Sequence, residues 1–366
     1  MCKITIKTLH KQATMLQNDK KKAFIELGKF LGQFHEGGSA VRKDVLYNDL
    51  FFSEFENLIR LSQSHNGWYT PEQVYFAVQS WSEALTEKNL THWLSPYDLS
   101  AVKPKTIGLI LAGNIPLVGF HDFLSVLICG HRVLVKTSSN DQHLLPFLAN
   151  YLIAVDPDLK NKITFAEGKL ENFDAVIATG SNNTARYFDY YFKDKPSIIR
   201  KSRNSVAVLN GKETKEQMIA LGEDVFRYFG LGCRNVSKLY LPKDYNFDLF
   251  FNGMFPYQDI IKYEKYANNY DYNKAVFLMS NFKLLDNEFL IIKEDPSYAS
   301  PISSVFYEFY DNLENIKTRL ENDKEQIQCI VSNNLIANSI PFGTTQKPQL
   351  WDYADGIDTI DFLTRL

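Results

Sequence analysis

Apolar positions in the first hundred residues recur at helical spacing. Phe24, Leu27, Leu31 and Phe34 fall on one face of a 3.6-residue helix. Thr70-Pro71-Glu72-Gln73 supplies an N-cap, a proline at the first helical position and a capping-box partner. Val74, Val78, Trp81 and Leu85 follow on one face. Residues 1–100 therefore read as an amphipathic helical cover. From residue 106 the pattern changes. TIGLILAG (106–113), HRVLVKTS (131–138), ITFAEG (163–168), DAVIATG (174–180) and NSVAVLN (204–210) are short apolar runs. Helical stretches separate them at 117–129, closed by Gly130 at a C′ position, at 140–155, broken or bent near Pro146, and at 181–192. Strand alternating with helix, with strands apolar throughout, predicts a parallel sheet covered on both faces. Further strands are expected at SKLYL, KAVFLM, ISSVFYEFY and QIQCIVSN, in a second α/β stretch over 211–345. The boundary between the two falls near 205–215. The tail 346–366 is apolar enough to dock.

Composition narrows the class. The chain has 366 residues, 45% of them hydrophobic, which is globular and large enough for two domains. A net charge of −3 argues against nucleic-acid binding through bulk charge. No run of about eighteen apolar residues marks a transmembrane segment. The N-terminal MCKITIKTLHKQATMLQNDKKK lacks the apolar core and cleavage site of a secretory signal, so a cytoplasmic location is expected. Cys2, Cys129, Cys233 and Cys329 fit neither a disulfide framework nor a zinc site, and the seven histidines are scattered. No metal site is expected.

Ligands on such sheets sit at the carboxyl ends of strands. Ala112-Gly113-Asn114-Ile115-Pro116 follows the first strand: the glycine permits a tight turn and Asn114 offers amide donors, or caps the next helix. Lys136-Thr137-Ser138-Ser139 follows the second; it can hold a ribose or phosphate, or be a solvated lysine before a cap. Thr179-Gly180-Ser181 opens a helix and places backbone N–H groups where a pyrophosphate can sit. There is no G-x-G-x-x-G and no P-loop. Among the cysteines, Cys129 reads as a buried small hydrophobe and Cys329 as a strand-core residue. Cys233 alone combines flanking glycines, a loop position and a preceding helix, a setting that leaves a thiol accessible.

In this order the four stretches resemble the aldehyde dehydrogenase superfamily. The matching residues are Gly113-Asn114-Ile115-Pro116-Leu117, Val135-Lys136-Thr137-Ser138, Thr179-Gly180-Ser181 and Gly232-Cys233. Within it the chain resembles the LuxC-type long-chain acyl-CoA reductases, including in the tail Asp352-Tyr353-Ala354-Asp355-Gly356-Ile357-Asp358-Thr359. The resemblance runs from about residue 100 to the end. It implies an aldehyde-dehydrogenase-like α/β fold: an open parallel-sheet, Rossmann-like dinucleotide-binding domain over 101–210 and a catalytic domain over 211–345. It also implies a mechanism. Cys233 attacks an acyl thioester, coenzyme A leaves, and an S-acyl enzyme forms. Asn114 Nδ2 and the Cys233 N–H hold the oxyanion. A nicotinamide reduces the acyl group to a fatty aldehyde, with Lys136, Ser139, Gly180 and Ser181 at the cofactor.

Two departures sharpen the expectation. Aldehyde-oxidising members carry a Glu-Leu-Gly-Gly motif whose glutamate activates water. Here the corresponding stretch is the basic Ile199-Arg200-Lys201-Ser202-Arg203-Asn204-Ser205, which favours thioester reduction over oxidation. Those cations meet coenzyme A or cofactor phosphates, or form a solvated face. NAD-preferring members carry a glutamate three residues after the strand-end lysine; Ser139 stands there, which points to NADPH over NADH. His121 reads as a helix-surface residue, and Glu294 and Asp295 match no catalytic glutamate cleanly; none is placed in the site. The rival readings are a short-chain acylating aldehyde dehydrogenase, an acyl-phosphate reductase, and a binding or scaffolding relative that has lost catalysis, the last motivated by the short chain. A partner protein carrying the acyl group as a thioester is an alternative donor, and the resemblance implies a homo-oligomer.

Overall fold

The computed structural model describes residues 21–366. The expectations for the N-terminal signal and for Cys2 lie outside the described residues. The chain divides into two compact units: one up to Lys201 and again from Gln349 to Leu366, the other Ser202–Pro348.

In the first unit, helices α1 (21–31), α2 (Asn48–His65), α3 (Pro71–Ala84) and α4 (Glu87–Leu94) precede the sheet. Then follow β1 (Thr106–Ile110), α5 (Phe120–Ile128), β2 (Arg132–Lys136), α6 (Leu144–Val155), β3 (Ile163–Phe165), β4 (Ala175–Thr179), α7 (Asn182–Tyr191) and β5 (Ser197–Arg200). All five strands are parallel, in the order β3-β2-β1-β4-β5. The apolar stripes of α1 to α6 and of the C-terminal α12 (Thr359–Thr364) share one core with Ile107, Leu109, Val133, Val135 and Ile177. Phe24, Leu27, Leu31 and Phe34 are all buried there, as their spacing predicts. Aromatic rings tie the helical cover to α5 and α6: Phe30 stacks on Tyr151 at 4.3 Å, and Trp81 meets Phe120 edge-on at 4.6 Å. The opposite face packs α7 through Phe188 onto Val176 and Ala178.

The docked tail is held by a polar clasp. His121 Nε2 lies 2.8 Å from Leu350 O. His131 Nδ1 accepts Lys105 N–H (3.1 Å), so its Nε2 carries the proton and donates to Leu363 O (3.0 Å). Trp93 Nε1 donates to the Tyr353 hydroxyl (2.7 Å) and Tyr97 to Asp358 Oδ2 (2.6 Å). Arg200, buried at the end of β5, donates to Asp122 Oδ1 (2.6 Å), Ala354 O (2.7 Å) and Thr359 Oγ1 (3.0 Å). The tail stretch Asp352–Thr359 thus serves to fasten the chain end to α4, α5 and β5.

The second unit carries β6 (Asn204–Val208), α8 (Lys215–Phe226), β7 (Val236–Pro242), α9 (Phe247–Met254), α10 (Glu264–Met279), β8 (Leu284–Asp286), β9 (Ile291–Glu294), β10 (Ser304–Tyr310), α11 (Leu313–Asn322) and β11 (Ile327–Ser332). Its sheet runs β11-β6-β7-β10-β9-β8, parallel except for β8 against β9. One face packs α8 and α9, the other α11.

Five expectations are corrected. KAVFLM is the end of α10, because Tyr266, Tyr270, Asn273 and Phe277 are buried at helical spacing; its β-branched and aromatic residues imitated a strand. The helix expected over 140–155 begins only at Leu144, which keeps Pro146 in its first turn. The run 204–210, assigned to the first domain, pairs as β6 in the second sheet. His121 is half-buried rather than on an open helix surface, because its ring faces the docked tail. In the basic stretch, Arg200 is a buried structural cation, and Arg203 donates to Lys324 O and Ile327 O; of its three cations only Lys201, paired with Asp189, is exposed. The strands β5 and β9 were hidden by buried cations. Arg200 sits in one. In the other, Lys293 lies over the rings of Phe282, Phe306 and Phe277 and pairs with Asp295.

Candidate active site

The carboxyl ends of β2, β1 and β4 lie side by side in the first sheet. From β1 the chain runs to β2 and β3 on one side, and β4 and β5 lie on the other, so β1 and β4 flank the topological switch point. Lys136 ends β2. It is half-buried, and among the described residues its ammonium makes no hydrogen bond or ion pair. Ser139 is exposed in the turn beyond it. Ser181 caps α7, its Oγ accepting Thr184 N–H (3.2 Å), so the first N–H groups of that helix mark its positive end. A Cβ on Gly180 would stand 3.0 Å from Thr184 and 3.1 Å from Phe188, so the glycine lets α7 pack onto β4.

The Asn114 turn is held from below. Leu111 N–H bonds Lys136 O (3.0 Å), and a Cβ on Gly113 would collide with Ser138 at 2.8 Å, so the loops after β1 and β2 press together. Leu117 takes a left-handed φ of 57°. The Tyr69 hydroxyl lies 2.9 Å from Ile115 O and 3.3 Å from Asp141 Oδ2. Asp141 also accepts the Leu117 and Leu144 N–H groups; burial nevertheless pushes its carboxyl up to about 6.

Cys233 stands on the second unit, exposed, two residues before the buried Asn235. The chain leaves α8 through Tyr228, Phe229 and Gly230, all at positive φ (54°, 58° and 77°). Two of these are not glycine, and both are buried, so packing holds an unfavourable backbone. Asn235 clamps the rest of the turn. Its Nδ2 lies 3.1, 3.4 and 2.8 Å from the carbonyls of Asp224, Val225 and Arg227 at the end of α8, and its Oδ1 accepts Gly232 N–H (2.8 Å). Ser205 Oγ donates to Cys233 O (3.0 Å) and lies 2.9 Å from the Cys329 Sγ. Cys329 is therefore half-buried behind the Cys233 backbone rather than inside the strand core.

A buried carboxylate steadies the next layer. Asp224 accepts Gly343 N–H (2.7 Å) and Thr345 N–H (3.0 Å), and Thr345 O accepts Arg234 Nε (2.5 Å) beside Cys233. Burial pushes the Asp224 carboxyl up to about 6. Its folded value lies above its unfolded one, so its contribution to stability is full below about pH 4 and is lost as pH rises through 6. We expect the stability of the parent relative to Asp224→Asn to fall by up to about 3 kcal/mol between pH 4 and 7.5, read by denaturant unfolding. A pH-independent difference would contradict the assignment.

The strand ends thus bring Asn114, Lys136, Ser139, Gly180 and Ser181 to one edge of the first sheet, and Cys233 stands on the other unit. Sequence reasoning missed Asn235, Asp224 and Ser205. Asn235 partners carbonyls eight to eleven residues upstream, a contact no local pattern shows. Among the described residues, no group of three or more His, Cys, Asp or Glu is placed to hold a metal, and no helix is long and apolar enough to cross a membrane.

Residues 88–249 match the family model of the acyl-CoA reductases (LuxC). That span contains Asn114, Lys136, Ser139, Gly180, Ser181 and Cys233. The long-chain acyl-protein thioester reductase of Vibrio harveyi is 27% identical over 263 residues, covering 61% of this chain and 54% of that protein. The one from Aliivibrio fischeri is 24% identical over 231 residues, covering 56% and 47%. The chain spans about half the length of the curated relatives it matches. Among solved structures, aldehyde dehydrogenase 21 of Physcomitrella patens, in complex with succinate, has a TM-score of 0.66 at 11% identity, covering 95% of this chain and 84% of that one. The aldehyde dehydrogenase of Mycobacterium tuberculosis complexed with NAD+ has a TM-score of 0.61 at 11% identity, covering 86% and 73%. The fold is that of the aldehyde dehydrogenases.

Proposed function

We propose that this chain, a LuxC-type relative in the aldehyde dehydrogenase superfamily, reduces a fatty acyl thioester to the aldehyde through an acyl group held on Cys233. One observation carries the reading: an exposed cysteine on a turn clamped by Asn235, inside the span that matches the acyl-CoA reductases. A clamped turn fixes the backbone that presents the thiol, which favours a covalent step.

In this reading the Cys233 thiolate attacks the thioester carbonyl carbon. The new C–S bond forms as the bond to the departing thiol breaks. The Asn114 amide and the Cys233 N–H are assigned to the carbonyl oxygen, where negative charge develops. No glutamate stands in the 199–205 stretch to activate water, and Arg200 there is spent on the tail. The acyl group on Cys233 therefore has a slow route to hydrolysis. When the aldehyde leaves, Cys233 regains its thiolate.

A nicotinamide cofactor fits the strand ends of the first unit. Lys136 ends β2, and the capped N-terminus of α7 opens beyond β4. Lys136 is assigned the ribose and the α7 N-terminus with Ser181 the phosphates. When bound, that cofactor supplies the hydride. Ser139 places no charge against a 2′-phosphate, so the reading takes NADPH over NADH. Ser139→Glu should lower kcat/KM for NADPH about ten-fold relative to NADH, since a carboxylate there repels the phosphate and accepts a ribose hydroxyl. An unchanged ratio would remove Ser139 from the cofactor site.

The donor in this reading is a coenzyme A thioester. The names of the long-chain acyl-protein thioester reductases favour a second donor, an acyl group carried on a protein. The test supplies purified protein with NADPH and acyl-coenzyme A of two to sixteen carbons, and follows NADPH oxidation with aldehyde release. Aldehyde formed in step with NADPH consumed supports the reading. Turnover only on an acyl-protein moves the donor to the second form. Cofactor binding without turnover on either donor supports a scaffold.

A further inference from the structure

Helix α10 carries apolar residues on two faces. Tyr266, Tyr270 and Phe277 are buried at helical spacing, and Asn273 in the same stripe donates to Ile302 O (2.9 Å). One such stripe is what a surface helix needs. From Tyr272 onward the outward positions are apolar as well. Tyr272 is 68% exposed, Val276 39%, Leu278 55% and Met279 84%, and Ala275 lies exposed among them. Phe282, in the turn beyond the helix, is 47% exposed. A helix stretch that is apolar all round belongs in contact with something on every side.

The patch is ordered in advance. Asn281 closes the helix at a φ of 55°, with its N–H on Leu278 O (3.0 Å) and Phe282 N–H on Phe277 O (3.1 Å). The Phe282 ring lies over the Lys293 ammonium at 4.0 Å. Lys274, on the same stretch of helix, is paired with Asp286 (2.5 Å). Groups already fixed lose little freedom on docking. With large apolar side chains at about 150–250 Å² each, the exposed fractions amount to roughly 600 Å², the upper end of what a monomer leaves open. Two copies laid face to face bury about 1,200 Å², which reaches the lower bound of a specific interface before any polar rim is counted. The charges suit a second copy. Asp271 stands at one end of the patch and Lys283 at the other; both are exposed, and neither forms an ion pair among the described residues. A copy turned end for end sets each Asp271 toward a Lys283 and lays the stripe Tyr272, Val276 and Met279 on its own equivalent. The balanced signs give the patch no pull toward an anionic bilayer.

We infer that two copies of this chain join across a two-fold axis through the outer face of α10, the two helices packed antiparallel near Val276. The inference is independent of the reading of Cys233.

Sedimentation velocity of the purified chain, from about 1 to about 100 µM, reads the association. The parent should reach twice the chain mass within that range. Met279→Glu places a carboxylate at the most exposed point of the patch and should raise the dissociation constant at least about thirty-fold, the scale of a hot spot. Lys283→Asp sets like charges against each other and should weaken the dimer about ten-fold; adding Asp271→Lys to it should restore the parent constant, which a folding defect could not do. A parent that stays monomeric throughout overturns the inference, and its co-sedimentation with phosphatidylcholine vesicles would then give the face to a lipid surface. A dimer that Met279→Glu leaves intact, or a Lys283→Asp defect that Asp271→Lys does not repair, overturns it as well.

Discussion

Cys233→Ala is expected to lower the proposed acyl-thioester reduction by at least roughly a thousandfold, the scale on which enzymes lose rate when a covalent nucleophile is removed. The loss is expected without loss of fold. The Cys233 side chain is exposed, so its removal leaves no cavity. Its turn is held by other groups: Ser205 on Cys233 O, and Asn235 on Gly232 and the end of α8. Nicotinamide binding, assigned to the first unit, should be kept, which separates a chemical defect from a folding one. Cys233→Ser should remain close to the alanine variant, because a hydroxyl at its ordinary pKa is a far weaker nucleophile than a thiol. The measurement is NADPH oxidation by both variants, with cofactor binding followed by fluorescence. An alanine variant working at the parent rate would remove the covalent route.

Arg200→Ala should destabilise the first unit by about 3–5 kcal/mol, the usual loss when one partner of a buried ion pair is removed. Arg200 is 4% exposed and reaches three partners at once: the Asp122 carboxylate, Ala354 O and Thr359 Oγ1. Without it the Asp122 charge stays buried with no cation, and the tail loses two of its fastenings. The melting transition should drop by about 10 °C. Arg200→Lys should rescue only part of this, since one ammonium cannot reproduce a planar fork that meets three acceptors. If Arg200 instead served cofactor or coenzyme A phosphates, the alanine variant would keep its melting point and lose substrate or cofactor affinity. Thermal unfolding beside cofactor titration decides between the two.

Elements whose residues face a core on one side were legible in the sequence. The stripe Phe24, Leu27, Leu31 and Phe34, the apolar runs of β1, β2 and β4, and the Thr70 cap before Pro71 each state their structure locally. Where a buried charge interrupts the apolar pattern, the reading failed. Arg200 hid β5 and Lys293 hid β9, because a cation satisfied by distant partners looks from the sequence like a solvated one. In the candidate site, Lys136 and Ser181 follow from the rule that strand ends carry ligands, and Cys233 from its isolation among the cysteines. The clamp around Cys233 was not legible. Asn235, Asp224 and Ser205 act through backbone groups brought in from α8, β6 and the 343–345 loop. The tail stretch Asp352–Thr359, which carries part of the family resemblance, proved to be a clasp rather than a site, since its partners are Trp93, Tyr97 and Arg200.

The central claim is that Cys233 carries the acyl group, and intact mass reads this directly. Purified protein is incubated with a long-chain acyl-coenzyme A and no nicotinamide. One acyl group should add to the parent and none to Cys233→Ala, and NADPH should then discharge it as the aldehyde. An adduct of equal yield on Cys233→Ala, or one that leaves as the free acid when NADPH is added, would contradict the account.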